Sequence, residues 1–308
     1  MPPHVFGIDG ERLFYGQFPT TNGSGRHLGE FRSVELDGDS FAEGPLGGVL
    51  RDPAALRKSV ESLVKTIAGS IQEASLVMPD AWLRLAFTEL DQLPRKPAER
   101  EELLRWKLKM QVPYRVDDLR LAAEPVPGLG ESEGEKRLLL SFGIDQLIDQ
   151  IEESFAHSGI RLGHISNQSL SLMNALHKAL GSLDLAAVAL VSENSYSLFV
   201  AERGAPVLHR FKAYQADLPD DAKRRFVQRD LRLTRSFLAE KVGHDRLGRI
   251  VLVSPEDVEP IWSEWLGDVF ETRPRLLVQE WPFLRAPGSR VPSYQLAPLF
   301  GAACREVA

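Results

Sequence analysis

The start of the chain alternates short apolar segments with turn signals, and this pattern predicts a run of β-strands. Residues 5–8 are apolar, Asp9-Gly10 is typical of a tight turn, and residues 13–18 predict the returning strand. Residues 31–36 alternate apolar and polar positions, which predicts a third strand. The chain is therefore expected to open as a small antiparallel sheet.

Helical periodicity begins at residue 52. Asp52 is a suitable N-cap and Pro53 fits the first helical turn. The apolar residues that follow recur at helical spacing on one face: Leu56, Val60, Leu63, Val64, Ile67 and Ile71. The same reasoning predicts strands at 74–78, 83–87, 119–126, 137–142 and 160–165, helices at 96–110, 145–158 and 169–180, and an exposed turn at 127–136.

A second, similar series begins near residue 184. Leu185–Val191 is a nearly continuous apolar run, typical of a strand that is covered on both faces. Strands at 196–202 and 207–213, a long helix at 220–241 and a buried strand at 249–253 follow. Ser254-Pro255 predicts the start of the next helix, and a strand at 276–278, a loop at 282–292 and a helix at 297–307 complete the chain. Each half thus begins with a strand, a turn and a returning strand.

Composition narrows the class of protein without indicating an activity. The 308 residues suggest one or two domains, and 43% hydrophobic residues are enough for a packed core. The net charge of -6 argues against a general nucleic-acid-binding surface, and the single Cys304 excludes an internal disulfide or a multi-cysteine metal site. The longest apolar run is too short for a membrane span, and no signal peptide is expected.

Motifs for common chemistry are missing from the sequence. The seven histidines are scattered without metal-ligand spacing, so we expect no metal site. Cys304 has no neighbouring base and is interpreted as a small packing residue. Residues 44–48 are glycine-rich but precede no lysine, which excludes a P-loop and predicts a flexible loop.

The helix at 220–241 is rich in arginine. Residues 217–245 contain seven basic and six acidic side chains, which favours a solvated helix face with intrahelical pairs. Binding to anionic phospholipid or nucleic acid is the alternative interpretation.

Aromatic residues cluster in the segment that follows residue 80, among them Trp82, Trp106 and Tyr114. Core packing and an interaction surface both explain them, because aromatic side chains bury the most area per residue in either setting. Trp262, Trp265 and Trp281 are expected in the core.

The segment from residue 76 to 126 carries a distinctive order of motifs. It runs Leu-Val-Met-Pro-Asp, an apolar strand with Glu89-Leu90, a Glu-rich helix with Arg105-Trp106-Lys107, then Pro113-Tyr114 and a strand. This order resembles the PilM family of type IV pilus assembly proteins. The resemblance implies an α/β, actin-like (ribonuclease H-like) duplicated fold. Residues 1–183 would form the first half, with a small α+β subdomain inserted at about 81–126, and residues 184–308 the second half.

By the same resemblance, three loops correspond to nucleotide-binding loops, and all three depart from what phosphate binding needs. An actin-like ATPase needs an Asp for metal-bound water and glycines that let backbone N–H groups approach phosphate. The vestigial positions are Asp9, Gly10, Ser192, Asn194 and Ser254. The first loop carries Glu11, the second has neither Asp nor Gly, and the third contains Pro255 and two acids. We therefore expect no ATP, no Mg²⁺ and no catalysis.

The resemblance implies a non-catalytic, cytoplasmic assembly scaffold that a partner holds at the inner membrane. The expected partner is the cytoplasmic tail of a PilN-like inner-membrane protein, with other pilus assembly proteins as further possibilities and with no nucleic acid and no direct membrane insertion. The candidate partner-binding residues are Trp82, Arg84, Trp106 and Tyr114. Two alternatives stay open: an ATP-binding actin-like nucleotide switch, and the cytoplasmic domain of a GspL-like type II secretion protein.

Overall fold

The computed structural model describes residues 3–21, 25–38, 40–44, 47–112, 115–127, 136–215, 217–244, 246–281 and 293–304. Three sheets organise this part of the chain: two of five strands and one of three strands. No helix within these ranges is both long enough and apolar enough to cross a bilayer.

The first five-stranded sheet has the order β12-β8-β1-β2-β5. Its opening hairpin pairs β1 with β2 antiparallel, with Ile8 opposite Leu13 on either side of the turn. β8 joins β1 in parallel, and the buried faces of α1 and α3 pack on the sheet. The Asp52 carboxylate accepts the amides of Ala54 and Ala55 at 3.0 Å, which confirms the predicted cap. The bounds are β1 His4–Ile8, β2 Arg12–Gln17, β5 Glu30–Glu35, α1 Pro53–Lys65, β8 Glu73–Met78, α3 Asp145–Ala156 and β12 Arg161–Asn167.

The second five-stranded sheet, β15-β14-β13-β16-β17, repeats this plan. Every residue of its central strand β13 is buried, as the continuous apolar run predicts. The helices α5 and α6 cover one face, where Trp262 and Trp265 lie in the core as expected. The bounds are β13 Leu185–Val191, β14 Ser195–Glu202, β15 Ala205–Ala213, α5 Asp220–Lys241, β16 Arg249–Val253, α6 Glu259–Phe270 and β17 Arg275–Leu276.

The three-stranded sheet, β10-β11-β9, and helix α2 form a small unit between β8 and α3. Its third strand, β11, runs from Lys136 to Ile144 and pairs with both neighbours. The unit therefore extends beyond the predicted end at 126, because the returning strand of an antiparallel sheet is needed to join its two edges. The bounds are β9 Leu83–Leu90, α2 Pro97–Lys109, a 3₁₀ turn Val116–Asp118, β10 Leu119–Val126 and β11 Lys136–Ile144. Most of the predicted turn at 127–136 lies outside the described residues.

A shared apolar cluster joins the two halves. Helices α4 and α8 contribute Leu176 and Leu296, and the sheets contribute Leu139, Phe199 and Val251. The bounds of these helices, and of the short helix before α8, are α4 Gln168–Leu180, α7 Leu277–Glu280 and α8 Ser293–Ala303.

Four sequence predictions of local structure were wrong in detail. Ser254 is buried just after β16, and α6 begins later, at Glu259-Pro260, where a second proline also suits the first turn. The last strand ends at Leu276, and α7 replaces its predicted continuation to 278. Helix α8 begins at Ser293, four residues before the predicted start. Gly44, Gly47 and Gly48 of the predicted loop belong to the paired strands β6 Phe41–Gly44 and β7 Gly47–Leu50, and residues 45–46 lie outside the described residues. A second small pair joins β3 Thr20–Thr21 and β4 Gly25–Arg26.

Candidate functional site: the cleft between the two halves

A cleft of about 960 Å³ lies between the two halves, where the β1–β2 turn faces the β13–β14 turn. Helix α8 and the loop after β16 complete its walls. Four of the five vestigial loop positions line it, namely Asp9, Gly10, Ser192 and Asn194. The fold therefore brings together loops that are more than 180 residues apart in the sequence.

The first turn is closed by its own aspartate. The Asp9 carboxylate accepts the amide N–H of Glu11 at 3.0 Å and that of Arg12 at 2.8 Å. The Asp9 amide donates to the Arg12 carbonyl at 3.2 Å. Desolvation in the cleft raises the pKa of Asp9, and the two amide bonds offset this only in part. The amides of Glu11 and Arg12 are thus already bonded within the turn and do not point into the cleft as free phosphate donors.

An indole ring covers the same turn. Trp82 is only 7% exposed and stacks on Phe41 with the ring centroids 4.6 Å apart. A β-carbon placed on Gly48 would lie 2.3 Å from this indole, and one on Gly10 would lie 3.5 Å away. Gly48 thus makes room for the ring, which rests against Gly10. Trp82, predicted as a partner-binding residue, is instead a buried part of the cleft wall.

The second turn is tied to β15 and the segment after it. The Ser192 amide donates to the Ser195 carbonyl at 3.0 Å, and the two hydroxyls are 2.6 Å apart. The hydroxyl of Tyr214 donates to the Ser192 carbonyl at 3.1 Å, and its amide donates to the Asn194 carbonyl at 2.8 Å. Burial raises the pKa of Tyr214, so this hydroxyl keeps its proton and remains a donor.

The third loop presents acid and proline to the cleft. Ser254 is buried, and its hydroxyl has no hydrogen-bond partner among the described residues. Pro255 and Asp257 line the cleft and Tyr294 faces them from α8. Burial raises the pKa of Tyr294, and the nearby carboxylates, Asp9 and Asp257 among them, raise it further. Carboxylates are therefore close to Tyr294 on this side of the cleft, with Arg12 opposing their effect.

The remaining partner-binding candidates lie apart from one another. The Arg84 guanidinium lies 4.8 Å above the Phe211 ring, where both side chains line the cleft. Trp106 is 56% exposed on the outer face of α2. Tyr114 lies outside the described residues. Of the three candidates that the structure describes, Trp106 is the one that lies on an open surface.

Sequence reasoning missed a polar cluster at the floor of the cleft. Asp80 is buried and accepts hydrogen bonds from the amide of Ser169, at 3.0 Å, and from its hydroxyl. His209 of the second half lies 3.8 Å from the same carboxylate. Burial raises the pKa of Asp80, but His209 and the hydroxyls of Ser169 and Ser197 outweigh it, and the net pKa is low. The sequence signal that could have indicated this cluster is Pro79-Asp80, directly after the buried strand β8.

No group of three metal-ligating side chains occurs in the described ranges. No family model and no curated protein sequence matches the chain.

Solved structures do match it. One is described as the PilM–PilN type IV pilus biogenesis complex, with a TM-score of 0.74, 15% identity, and coverage of 98% of this chain and 96% of that chain. Another is a Bacteroides thetaiotaomicron protein of unknown function with an actin-like ATPase fold, with a TM-score of 0.56, 12% identity, and coverage of 96% and 95%. The fold is that of the actin-like ATPases.

This actin-like fold confirms the fold expected from the resemblance. The cytoplasmic domain of EpsL from Vibrio cholerae, a type II secretion component, also matches, with a TM-score of 0.46, 10% identity, and coverage of 82% of both chains. That likeness is too distant to bear on the secretion alternative.

Proposed function

We propose that this actin-like protein is a non-catalytic scaffold of a type IV pilus-like assembly machine. In this proposal it works on the cytoplasmic side of the inner membrane and binds the cytoplasmic tail of a PilN-like protein. The likeness to the PilM–PilN complex along almost the whole chain supports the assembly role. The observation that carries the non-catalytic role lies in the β1–β2 turn. There the Asp9 carboxylate accepts the amides of Glu11 and Arg12, and the Trp82 ring packs against Gly10.

Phosphate binding at such turns needs backbone N–H donors that point into the site. In the first turn, the amides of Glu11 and Arg12 point at a carboxylate. The cleft is also lined by the carboxylates of Glu193 and Asp257, which would repel a triphosphate, alongside the cations Arg84 and Lys223.

The partner surface that we propose is the outer face of α2. Trp106 and Met110 are four residues apart, so they lie on the same helix face, and they are 56% and 75% exposed. Lys107 lies beside them, with its ammonium 5.9 Å from the Trp106 ring. A large aromatic beside a flexible thioether is typical of the central contacts in protein interfaces.

The test is a titration of the protein with a synthetic PilN-like tail, followed by calorimetry or fluorescence anisotropy. Trp106→Ala is expected to weaken binding about 30-fold, which corresponds to about 2 kcal/mol for a central aromatic contact. Ile261→Ala is the matched control, because Ile261 is an exposed apolar residue on α6 of the other half. Absence of tail binding by the wild type would remove the scaffold proposal.

One observation favours the nucleotide-switch alternative: the cleft persists, and its volume of about 960 Å³ is large enough for a nucleotide. The occupied turn amides and the acidic third loop weigh against it. In this proposal the cleft is therefore the remnant of a nucleotide site, and the partner binds on the outer surface.

A further inference from the structure

One face of α5 is exposed and unusually rich in arginine. Arg225, Arg229 and Arg232 recur at helical spacing on it and all three are exposed. Phe226 and Leu233 flank this row and are 40% and 54% exposed. The opposite face carries the buried residues of the helix, Val227, Leu231 and Leu238 among them.

The other arginines of α5 are used differently. Arg224 pairs with Glu264 at 3.0 Å and with Asp268 at 3.3 Å, and Arg235 pairs with Glu271 at 2.9 Å. These pairs fasten α5 to α6. The near-neutral charge of residues 217–245 comes instead from acids within that segment. One of them, Asp230, is buried and pairs with Arg210 at 3.0 Å, so a count along the chain hides how unevenly the charge is distributed in space.

No ion pair recorded among the described residues involves the exposed row. The Arg232 guanidinium donates a hydrogen bond of 3.4 Å to Gln228, and within the described ranges no side-chain hydrogen bond is seen for Arg225 or Arg229. Asp221 lies one turn before this row and Glu240 two turns after it. The central part of the face is thus positively charged.

We infer that this face rests on a bilayer surface that carries anionic phospholipid. Guanidinium groups bind phosphate with two parallel N–H donors, and an aromatic and an aliphatic side chain beside them suit the boundary between headgroups and acyl chains. The helix has 22 residues, so it is about 33 Å long and lies flat on such a surface. An acidic protein would match the arginines, but it would not account for the two apolar residues beside the row.

This contact is independent of the tail-binding proposal, since it uses a different half of the molecule. It also revises the expectation from net charge. A chain of charge -6 is repelled by an anionic membrane on average, yet a local basic face attracts it within a Debye length. Three arginines give a weak contact that orients a protein held nearby by a partner.

The test is sedimentation of the full chain with vesicles of phosphatidylglycerol and phosphatidylethanolamine in roughly equal parts, at low ionic strength. Each arginine near an anionic surface strengthens partitioning by about fivefold, so the triple variant R225A/R229A/R232A should partition about 100-fold less. The control K58A/R95A/K109A removes three exposed basic residues elsewhere and should partition like the wild type. Phe226→Ala with Leu233→Ala should reduce partitioning at high salt, where the charge contribution is screened.

Two results would overturn the inference: no binding of the wild type to these vesicles, or equal losses in the triple variant and its control. A soluble polyglutamate peptide serves as a third arm. If the wild type binds the peptide through the same arginines and ignores the vesicles, the face recognises an acidic protein and the lipid assignment is wrong. Circular dichroism of each variant shows that the fold is kept.

Discussion

Arg137 is a buried cation that connects the three-stranded sheet to the second half. Its side chain is only 3% exposed, and its guanidinium donates to the carbonyls of Pro206 at 2.9 Å and Val207 at 2.5 Å. The register of β14 and β15 shifts at this point, which leaves these carbonyls beside an interrupted ladder. The guanidinium also lies 4.2 Å above the Phe87 ring. Burial lowers the pKa of Arg137, and Glu89 opposes this only weakly.

Arg137→Met keeps most of the side-chain volume and removes the charge. Two hydrogen bonds from a charged donor are worth about 1.5 kcal/mol each, and the contact with the ring adds about 1 kcal/mol. Relief of the desolvation of the cation returns about 1 kcal/mol or more. We therefore expect a loss of about 3 kcal/mol in the free energy of unfolding, with a fall in Tm of about 5 °C.

Urea denaturation with hydrogen exchange provides the assay. Exchange should rise in β15, because the carbonyls at the bulge lose their donor, and the change in stability should appear in the denaturation midpoint. Arg95→Met is the control, since Arg95 is exposed in the same unit, and it should change stability by less than about 0.5 kcal/mol. A stability of Arg137→Met within that margin, with β15 exchange unchanged, would refute this account of the interface.

Three further predictions concern the cleft and its supports. Gly48→Val should destabilise the protein by about 2 kcal/mol, because the β-carbon of the new valine would lie 2.3 Å from the Trp82 indole. The variant should expose Trp82, which is seen as a red shift in fluorescence, and an unshifted spectrum would contradict this packing. Asp80 has a folded pKa below its usual 3.8, so its contribution to stability is present above about pH 4 and is lost on acidification. Asp80→Asn should therefore flatten that part of the curve of stability against pH. An unchanged slope would count against the role of Asp80. Arg120→Gln should lower the free energy of unfolding by about 1 kcal/mol at low salt and by less at high salt, because the three α3 carboxylates around Arg120 are partly exposed. A loss that does not depend on salt would contradict an electrostatic origin.

Strands with strong patterning could be predicted closely from the sequence. Leu185–Val191 and Arg249–Val253 match the structure residue for residue, because a strand buried on both faces must be apolar throughout. The helix Asp220–Lys241 also matches. Ser254-Pro255 gave a wrong helix start because the pair is only a local signal, whereas in the structure Ser254 is buried after β16 and α6 begins at Glu259.

The site could be predicted only as far as its loops. Asp9, Gly10, Ser192 and Asn194 were identified through the resemblance to a known family, and the structure brings them to one cleft. The covering indole was missed, since the contact between Trp82 and Gly48 depends on tertiary packing. Arg137 and the cluster around Asp80 were missed for the same reason: each joins parts of the chain about 70 to 130 residues apart. The structure shows that Trp106 is exposed and Trp82 is buried, a difference that the sequence alone could not predict.

The central claim is that the cleft holds no nucleotide and that the protein acts by binding a partner. A thermal-shift titration of the full chain with Mg-ATP tests it most directly. A ligand at a hundred times its Kd adds about 2.7 kcal/mol of stability, which for this chain is a rise of at least several degrees in Tm. The account predicts no rise up to millimolar Mg-ATP, whereas a saturable rise would contradict it and favour the nucleotide switch.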